Sequence, residues 1–175
     1  MPATLWLTGL SGAGKSTLAK SLELALSKRR TSCVVLDGDE VRKGLCSDLG
    51  FSARDRSENI RRIAEVAALL NRTGILAIVA LISPMAADRA RAREIIGPTA
   101  MHEIYVATPL HVCEARDPKG LYRKAREGSV PEFTGLTAPY EAPEQAQLVL
   151  NTEEMDPMEC LHKILALVGI REVTS

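Results

Sequence analysis

The sequence Gly9-Leu10-Ser11-Gly12-Ala13-Gly14-Lys15-Ser16 decides the fold of this chain. It matches the phosphate-binding pattern G-x-x-x-x-G-K-[ST] at every required position. The apolar run at residues 4–8 predicts a buried strand before it, and the leucine spacing after it predicts a helix over residues 16–30. A loop between such a strand and helix directs backbone N–H groups and the positive end of the helix dipole at one anion. We therefore predict that this loop binds the phosphates of a nucleotide.

Two side chains of the loop have chemical roles of their own. Lys15 is able to reach the β- and γ-phosphates, and the Ser16 hydroxyl is a ligand for Mg²⁺. The glycines let the backbone approach phosphate oxygens without a clash from Cβ. The alternative is a glycine-rich turn that matches by chance, which the strand and helix on either side disfavour.

The size and charge of the chain narrow the class of protein. Its 175 residues suit one domain spanning residues 1–175. The 22 basic and 22 acidic residues balance, which disfavours nucleic-acid binding by a broad positive field. The chain shows no secretory leader and no apolar run of membrane-spanning length, so we expect a cytoplasmic protein without membrane contact. The four cysteines lack the spacing of a metal site or a disulfide framework, and a Cys46–Cys113 redox pair stays open.

Strand-like runs alternate with helix-like runs along the rest of the chain. The expected strands cover residues 33–36, 75–81, 102–106 and 147–150, and the expected helices cover residues 57–72, 86–96, 109–115 and 158–168. Strands that are apolar on both faces and alternate with helices indicate a parallel sheet covered on both sides. We predict an α/β protein with three α/β/α layers, a mainly parallel sheet of roughly five strands, and ligands at the carboxyl ends of the strands.

Residues 116–145 do not follow the alternation. They are rich in charge, Gly and Pro, and only residues 120–127 suggest a short helix. A connection of this length is usually a functional lid or a disordered segment. Because Lys and Arg alternate in its centre, we interpret residues 116–145 as a lid segment that contacts phosphate.

Two carboxylates follow the second predicted strand. We expect the loop that carries Asp37 and Asp39 to lie beside the phosphate loop. Asp39 is the candidate that accepts the proton of an acceptor hydroxyl, or orients that hydroxyl for in-line attack. Asp37 is a candidate for the Mg²⁺ shell or for holding the loop itself. An ordinary Asp-Gly turn is the alternative for both.

A group of polar residues close to Asp39 suggests a site for an anion. Arg42 follows Asp39 by three residues, and Arg56 and Asn59 share a helix face. The planar guanidinium group suits sulfate, phosphate and carboxylate. Phe51 lies in a polar loop, where an apolar plug and a platform for a planar base explain it equally well. Charges further along the same helix, at residues 61, 62 and 72, are typical of a solvated face.

Longer motifs identify a family. They are LDGDEVRKGL at residues 36–45, DLGFS at 48–52, RSENIRRIAEVA at 56–67, ISP at 82–84, CEARDPKGLYRKAR at 113–126, FTG at 133–135 and YEAPE at 140–144. With GLSGAGKST at residues 9–17, they resemble the adenylylsulfate kinases (APS kinases), which are P-loop kinases. The resemblance implies transfer of a phosphoryl group from ATP to the 3′-hydroxyl of adenosine 5′-phosphosulfate (APS). The product is 3′-phosphoadenosine 5′-phosphosulfate (PAPS).

The resemblance also implies roles for matching residues. ATP would contact Gly9, Ser11, Gly12, Ala13, Gly14, Lys15, Ser16, Thr17 and Arg116, with the Arg116 guanidinium stacked on the adenine. APS would contact Asp39, Arg42, Phe51, Arg56, Asn59, Ile82, Ser83, Lys119, Leu121 and Phe133, with its adenine between the two phenylalanines. Lys15, Asp39 and Ser83 would be catalytic.

Ser83 is the position that the family marks as a phosphoserine intermediate, although a serine at a strand end also hydrogen-bonds substrate. We favour direct in-line transfer with Ser83 as a positioning group. The resemblance further implies a homodimer and functional coupling to an ATP sulfurylase. Two alternatives stay open: a kinase that acts on another small alcohol, and a non-catalytic module that binds nucleotide.

Overall fold

A computed structural model describes residues 3–170, in which one five-stranded sheet forms the centre. The strands are β1 (Thr4–Thr8), β2 (Cys33–Asp37), β3 (Leu76–Ala80), β4 (Met101–Val106) and β5 (Leu148–Leu150). Their order across the sheet is β2-β3-β1-β4-β5, and every neighbouring pair is parallel. The predicted α/β class and parallel sheet are thereby confirmed.

Helices connect the strands and cover both faces of the sheet. They are α1 (Lys15–Lys28), α2 (Gly38–Val41), α3 (Ala53–Arg72), α4 (Ala86–Ile96), α5 (Leu110–Arg116), α6 (Leu121–Arg126) and α7 (Pro157–Leu167). Among residues 3–170, none of the helices combines the length and the apolar character needed to cross a membrane.

The alternation of side chains along β1 divides the core into two layers. Leu5 and Leu7 belong to the layer that contains Leu22 of α1 and Ile164 of α7. Trp6 points to the opposite face, where the buried residues of α3 and α4 form the second layer. Successive side chains of a strand point to opposite faces, so a strand buried on both sides is apolar throughout.

Two helix starts differ from the sequence prediction. Helix α3 begins at Ala53, four residues before the predicted start, and α2 was not predicted at all. Polar caps explain both differences: the Ser52 hydroxyl accepts a hydrogen bond from the Asp55 N–H, and the Asp37 carboxylate accepts one from the Asp39 N–H at 3.0 Å. Neither start carries apolar periodicity, which was the signal used for prediction.

The strand order places β3 between β1 and β2. The end of β2 therefore lies one strand away from β1, but helix α1 crosses β3 and contacts β2 as well. The Ser16 hydroxyl, in the first turn of α1, donates a hydrogen bond to the Asp37 carboxylate at 2.6 Å. The loop after β2 thus lies beside the phosphate loop, as the sequence predicted.

The lid segment, residues 116–145, packs against the core. Helix α6 falls within the predicted residues 120–127, and the remainder of the segment contains only an isolated bridge between Thr134 and Ala138. Tyr122 and Phe133 are both buried in the layer that contains α1. Their rings meet edge to face, with centroids 4.8 Å apart.

Two leucines of α1 test the importance of the core layer. Leu22 is fully buried and Leu24 is 65% exposed. We expect Leu22→Ala to lower the free energy of unfolding by about 2–5 kcal/mol, because it removes buried methyl groups and leaves a cavity. Leu24→Ala is the matched control and should change that free energy by less than about 0.5 kcal/mol. Urea denaturation would measure both values, and equal losses would contradict this description of the core.

Candidate active site

One cavity of about 1420 Å³ lies at the carboxyl ends of the strands. It is lined by every residue that the family resemblance assigned to the acceptor: Asp39, Arg42, Phe51, Arg56, Asn59, Ile82, Ser83, Lys119, Leu121 and Phe133. It is also lined by the residues assigned to ATP, except Gly9 and Ala13. The two predicted subsites are therefore parts of one continuous cavity.

The path of the phosphate loop requires glycine at two positions. Gly9 has a φ of +152°, and a Cβ atom added there would lie 2.5 Å from the carbonyl oxygen of Val106. Gly12 has a φ of +76°, and its added Cβ would lie 2.9 Å from the carbonyl oxygen of Cys113. Side chains at either position would collide with backbone and push the loop away from β4 and α5.

Lys15 lies under the phosphate loop. Its ammonium group donates hydrogen bonds to the carbonyl oxygens of Gly9 at 2.8 Å and Leu10 at 2.6 Å. Burial disfavours the charged form and lowers the pKa of Lys15 to about 8. The side chain is thus held by neutral acceptors in a place where phosphate would be a stronger partner.

The Ser16–Asp37 pair is the candidate position for Mg²⁺. A hydroxyl and a carboxylate oxygen lie 2.6 Å apart at the mouth of the loop, and both are the hard oxygen donors that this ion prefers. Within residues 3–170 no cluster of three or more acidic, His or Cys side chains offers a complete metal cage. Mg²⁺ usually keeps waters and substrate phosphate oxygens, so one or two protein oxygens fit its needs.

Asp39 connects the phosphate loop side of the cavity with the lid segment. It lies in the first turn of α2, where its own N–H is bonded to Asp37. Its carboxylate forms an ion pair with the Lys119 ammonium group. The pair shows that a cation of the lid segment reaches the carboxylate assigned to catalysis.

Two arginines and Phe51 form the acceptor side of the cavity. The guanidinium carbons of Arg42 and Arg56 lie 4.5 Å and 5.6 Å from the centre of the Phe51 ring. Backbone carbonyls orient both groups: Arg42 donates to Gly50, and Arg56 donates to Phe51 and, across the cavity, to Glu132 of the lid segment. Burial, and then the charge of Arg42, lower the pKa of Arg56. Such a confined positive charge favours an anionic ligand.

Asn59 and the two phenylalanines also face this side. The Asn59 side-chain oxygen is buried and has no hydrogen-bond partner among the described residues. Phe51 is 63% exposed, whereas Phe133 is buried against Tyr122, whose hydroxyl donates to the Ser11 carbonyl at 2.8 Å. The exposed Phe51 ring is thus accessible to a ligand, whereas the Phe133 ring is held against the phosphate loop through Tyr122. A sandwich of both rings around an adenine stays a prediction.

Ser83 lies in a tightly bonded part of the cavity wall. Its hydroxyl accepts a hydrogen bond from the Trp6 indole N–H at 3.1 Å and donates one to the Thr8 hydroxyl at 2.9 Å. Its backbone adopts a φ of +38°, in the left-handed region that non-glycine residues rarely occupy. The structure therefore places Ser83 as a buried, strained residue whose hydroxyl already has two partners.

Thr152 is a site residue that sequence reasoning missed. Its hydroxyl donates to the Ala13 carbonyl of the phosphate loop at 2.9 Å and accepts from the Arg116 guanidinium at 2.7 Å. Arg116 also donates to the Thr152 carbonyl at 2.8 Å. Thr152 follows β5, so a polar residue just beyond the carboxyl end of a parallel strand was the available signal.

Comparison with known proteins identifies the family. The family model for adenylylsulphate kinase matches residues 1–151. An adenylyl-sulfate kinase of Pseudomonas aeruginosa is 53% identical over 165 residues, which cover 94% of this chain and 84% of that protein. The chain belongs to the adenylylsulfate kinase family. An adenylyl-sulfate kinase of Shewanella amazonensis is 56% identical over 154 residues, covering 88% of this chain and 78% of the relative.

Solved structures agree with this membership of the adenylylsulfate kinase family. A Mycobacterium tuberculosis APS kinase, described as a complex with AMPPNP and APS, superimposes with a TM-score of 0.93 and 44% identity. The match covers 96% of this chain and 98% of that one. A sugar kinase from Janibacter, at 18% identity and a TM-score of 0.69, shares the fold alone. The P-loop kinase fold inferred from the sequence is confirmed, whereas the individual roles of site residues stay predictions.

The lowered pKa of Lys15 predicts proton uptake on ATP binding. At about pH 8 the free protein holds Lys15 half deprotonated, and the anionic phosphates raise its pKa, so binding should take up about half a proton. The uptake should grow between about pH 7 and about pH 9, as more of the free lysine is deprotonated. Titration calorimetry in buffers of different ionisation enthalpy would measure it. Lys15→Arg, which keeps its charge throughout, is the control, and equal uptake by both proteins would refute the assignment.

The contacts of Thr152 predict a selective effect on ATP. Thr152→Val keeps the shape but removes the hydroxyl that holds Arg116 and the Ala13 carbonyl. We expect the KM for ATP to rise about 10-fold, as for the loss of a hydrogen bond to a charged group. Thr73→Val, which removes a hydroxyl bonded to Leu70 at the end of α3, should leave that KM unchanged. Steady-state kinetics would measure the KM for ATP of each variant, and an equal KM for Thr152→Val and Thr73→Val would contradict the role of Thr152.

Proposed function

We propose that this protein transfers the γ-phosphoryl group of ATP to the 3′-hydroxyl of APS and releases ADP and PAPS. The observation that carries this proposal is that the phosphate loop, Asp39 and the arginine pair Arg42 and Arg56 line one cavity. A nucleotide phosphate and an acceptor hydroxyl bound in that cavity would meet at the Asp39 carboxylate. The close identity to adenylyl-sulfate kinases over most of the chain supports the same acceptor.

The ATP side is formed by the phosphate loop and α1. The loop amides and the helix N-terminus favour the negative phosphates, and Lys15 would exchange its carbonyl partners for phosphate oxygens. Ser16 and Asp37 would hold Mg²⁺, which when bound to the nucleotide neutralises charge on the β- and γ-phosphates. Arg116, held by Thr152, would form one wall beside the adenine.

The acceptor side is formed by α2, α3 and the loop after β3. Arg42 and Arg56 would bind the phosphosulfate group, because two planar cations close together favour a divalent or mixed anion. Asn59 offers its unpartnered buried oxygen to a donor group of the acceptor. Phe51 and Phe133 would stack on the adenine, an interaction that contributes about 1–3 kcal/mol per base.

Asp39 would take the proton during transfer. The 3′-oxygen attacks the γ-phosphorus in line, the bond from that phosphorus to the β–γ bridging oxygen breaks, and ADP leaves with that oxygen. The hydroxyl proton passes to the Asp39 carboxylate, which orients the attacking oxygen. Lys119 is paired with this carboxylate in the structure, so its charge lies close to the position where the reacting groups would meet.

Ser83 fits a positioning role in direct transfer. Its hydroxyl is engaged by Trp6 and Thr8, and nucleophilic attack would require both contacts to rearrange. No base is among its partners: the two groups are an indole N–H and a hydroxyl. We therefore infer that phosphoryl transfer proceeds directly to the acceptor, without a phosphoserine intermediate.

The lid segment would close the cavity before transfer. Three of its contacts bridge to the rest of the site: Lys119 to Asp39, Tyr122 to Ser11, and the Glu132 carbonyl to Arg56. Closure of such a segment excludes water and so prevents hydrolysis of ATP. The proposal extends to a cytoplasmic homodimer that is coupled to an ATP sulfurylase, which the family resemblance supports.

Measurement of ADP formation tests the function. With ATP and Mg²⁺, we expect turnover with APS, none with AMP and none without acceptor, and a 3′-phosphorylated product by mass spectrometry. Nucleotide binding without turnover would favour a non-catalytic module. Turnover with a different small alcohol, but not with APS, would favour another kinase of the same fold.

Asp39→Asn tests the catalytic assignment. It removes the proton acceptor but keeps Asp37, which caps α2, so the fold should persist. We expect kcat to fall by about 10²–10⁴-fold, the usual contribution of a positioned base. Glu40→Gln is the matched control on the same helix turn; its side chain is exposed, pairs with Lys43 and does not line the cavity, so kcat should not change. Full activity of a folded Asp39→Asn protein would refute the role.

A further inference from the structure

Arg89 is a buried cation that does not line the cavity. It lies in the first turns of α4 and is only 4% exposed. A buried charge costs several kcal/mol unless its partners compensate. Three polar partners are present that compensate the buried charge of Arg89.

The guanidinium group of Arg89 joins three separate parts of the chain. Its Nε donates to a carboxylate oxygen of Glu103 on β4 at 2.8 Å, and one terminal nitrogen donates to the Ser83 carbonyl at 2.8 Å. The other terminal nitrogen donates to the Glu141 carbonyl at 2.6 Å. The group also lies 5.9 Å from the centre of the Tyr140 ring.

The contact with Ser83 holds a strained part of the acceptor wall. A non-glycine residue at a φ of +38° has a strained backbone, which persists only when its surroundings hold it there. Trp6 and Thr8 hold the Ser83 hydroxyl, and Arg89 holds its carbonyl. The Thr8 hydroxyl also donates to the Ser83 carbonyl, at 3.4 Å, but Arg89 makes the shorter bond, at 2.8 Å, to the backbone that carries the strain.

The contact with Glu141 reaches the last residues of the lid segment. The Glu141 N–H donates to the Pro84 carbonyl at 2.8 Å, and its carboxylate accepts from the Ala86 N–H at 2.6 Å. The neighbouring Tyr140 hydroxyl lies 3.0 Å from the Thr8 hydroxyl. The lid segment therefore ends against the same loop, residues 82–84, that forms the wall of the acceptor site.

We propose that Arg89 is a positioning residue for the acceptor site: it holds the Ser83 backbone in its left-handed conformation and joins that loop to the end of the lid segment. It does so without touching either substrate. This inference rests on the proposed function for the name of the acceptor, APS. Loss of Arg89 should therefore weaken the use of APS and leave the use of ATP intact.

The geometry explains why this residue is arginine. Three acceptors surround the group in three directions, and a planar fork of N–H donors meets all of them at once. A lysine has the same charge but carries all its donors on one nitrogen atom. It would keep the ion pair with Glu103 but could not bond the Ser83 and Glu141 carbonyls at the same time. Arg89→Lys is thus a test that keeps the buried ion pair and removes the positioning.

Steady-state kinetics give the first readout. We expect Arg89→Lys to raise the KM for APS about 10- to 100-fold, as small displacements of a binding wall do, while the KM for ATP stays within about 2-fold. Arg93→Gln is the matched control on α4. Arg93 bonds the same Glu103 at 3.1 Å but contacts neither Ser83 nor Glu141, so both KM values should stay unchanged. Equal changes of both KM values in Arg89→Lys would overturn the proposal.

A second variant separates positioning from stability. Replacing a buried ion pair by apolar residues is often neutral or stabilising, so Arg89→Met with Glu103→Leu should fold even where Arg89→Lys does not. It still lacks the guanidinium group that bonds the Ser83 and Glu141 carbonyls at 2.8 Å and 2.6 Å, and the KM for APS should rise as in Arg89→Lys. A stable double variant with the wild-type KM for APS would overturn the proposal.

The single tryptophan gives a readout that is independent of turnover. Trp6 is the only tryptophan of the chain and its indole N–H donates to Ser83, so its one indole signal in ¹H–¹⁵N spectra reports on that residue. We expect the signal to shift in Arg89→Lys and in the double variant but not in Arg93→Gln. An unchanged signal would overturn the proposal. Absence of APS turnover in the wild-type protein would refute the proposed function instead, and the indole signal would still decide the role of Arg89.

Discussion

The close packing of the phosphate loop against β4 and α5 is the constraint on which the site depends. Backbone carbonyls of Val106 and Cys113 leave no room for a Cβ at Gly9 or Gly12. The loop is therefore packed against β4 and α5, while Ser11, Gly12 and Gly14 line the cavity. The start of α1 and the direction of Lys15 follow from this path, because Lys15 bonds the carbonyls that the loop turns inward.

The local positive charge of the cavity, rather than the net charge of the chain, favours the binding of anions. The chain has a formal net charge of zero, yet Lys15, Arg42, Arg56 and Lys119 all line one cavity. Burial lowers the pKa of both Lys15 and Arg56, which shows that these cations are poorly solvated without a partner. Phosphate and sulfate groups would supply that partner, so the same burial that destabilises the charges favours the ligands.

Residues outside the motifs hold the motifs in place. Thr152 joins the phosphate loop to Arg116, and Arg89 joins residues 82–84 to the end of the lid segment. In both cases one polar side chain bonds backbone carbonyls of distant segments. These bonds connect the backbone of the phosphate loop and of residues 82–84 to distant parts of the chain.

The sequence by itself determined the family, the parallel sheet, the phosphate loop and a set of candidate residues most of which line the cavity, because motifs and apolar periodicity are local properties of the chain. It failed at α2 and at the start of α3, where the polar caps Asp37 and Ser52 replace periodicity. Only the tertiary structure revealed Thr152 and Arg89, whose partners Ala13 and Glu141 lie 139 and 52 residues away. Such contacts depend on the order in which strands assemble into the sheet, and no local pattern records that order.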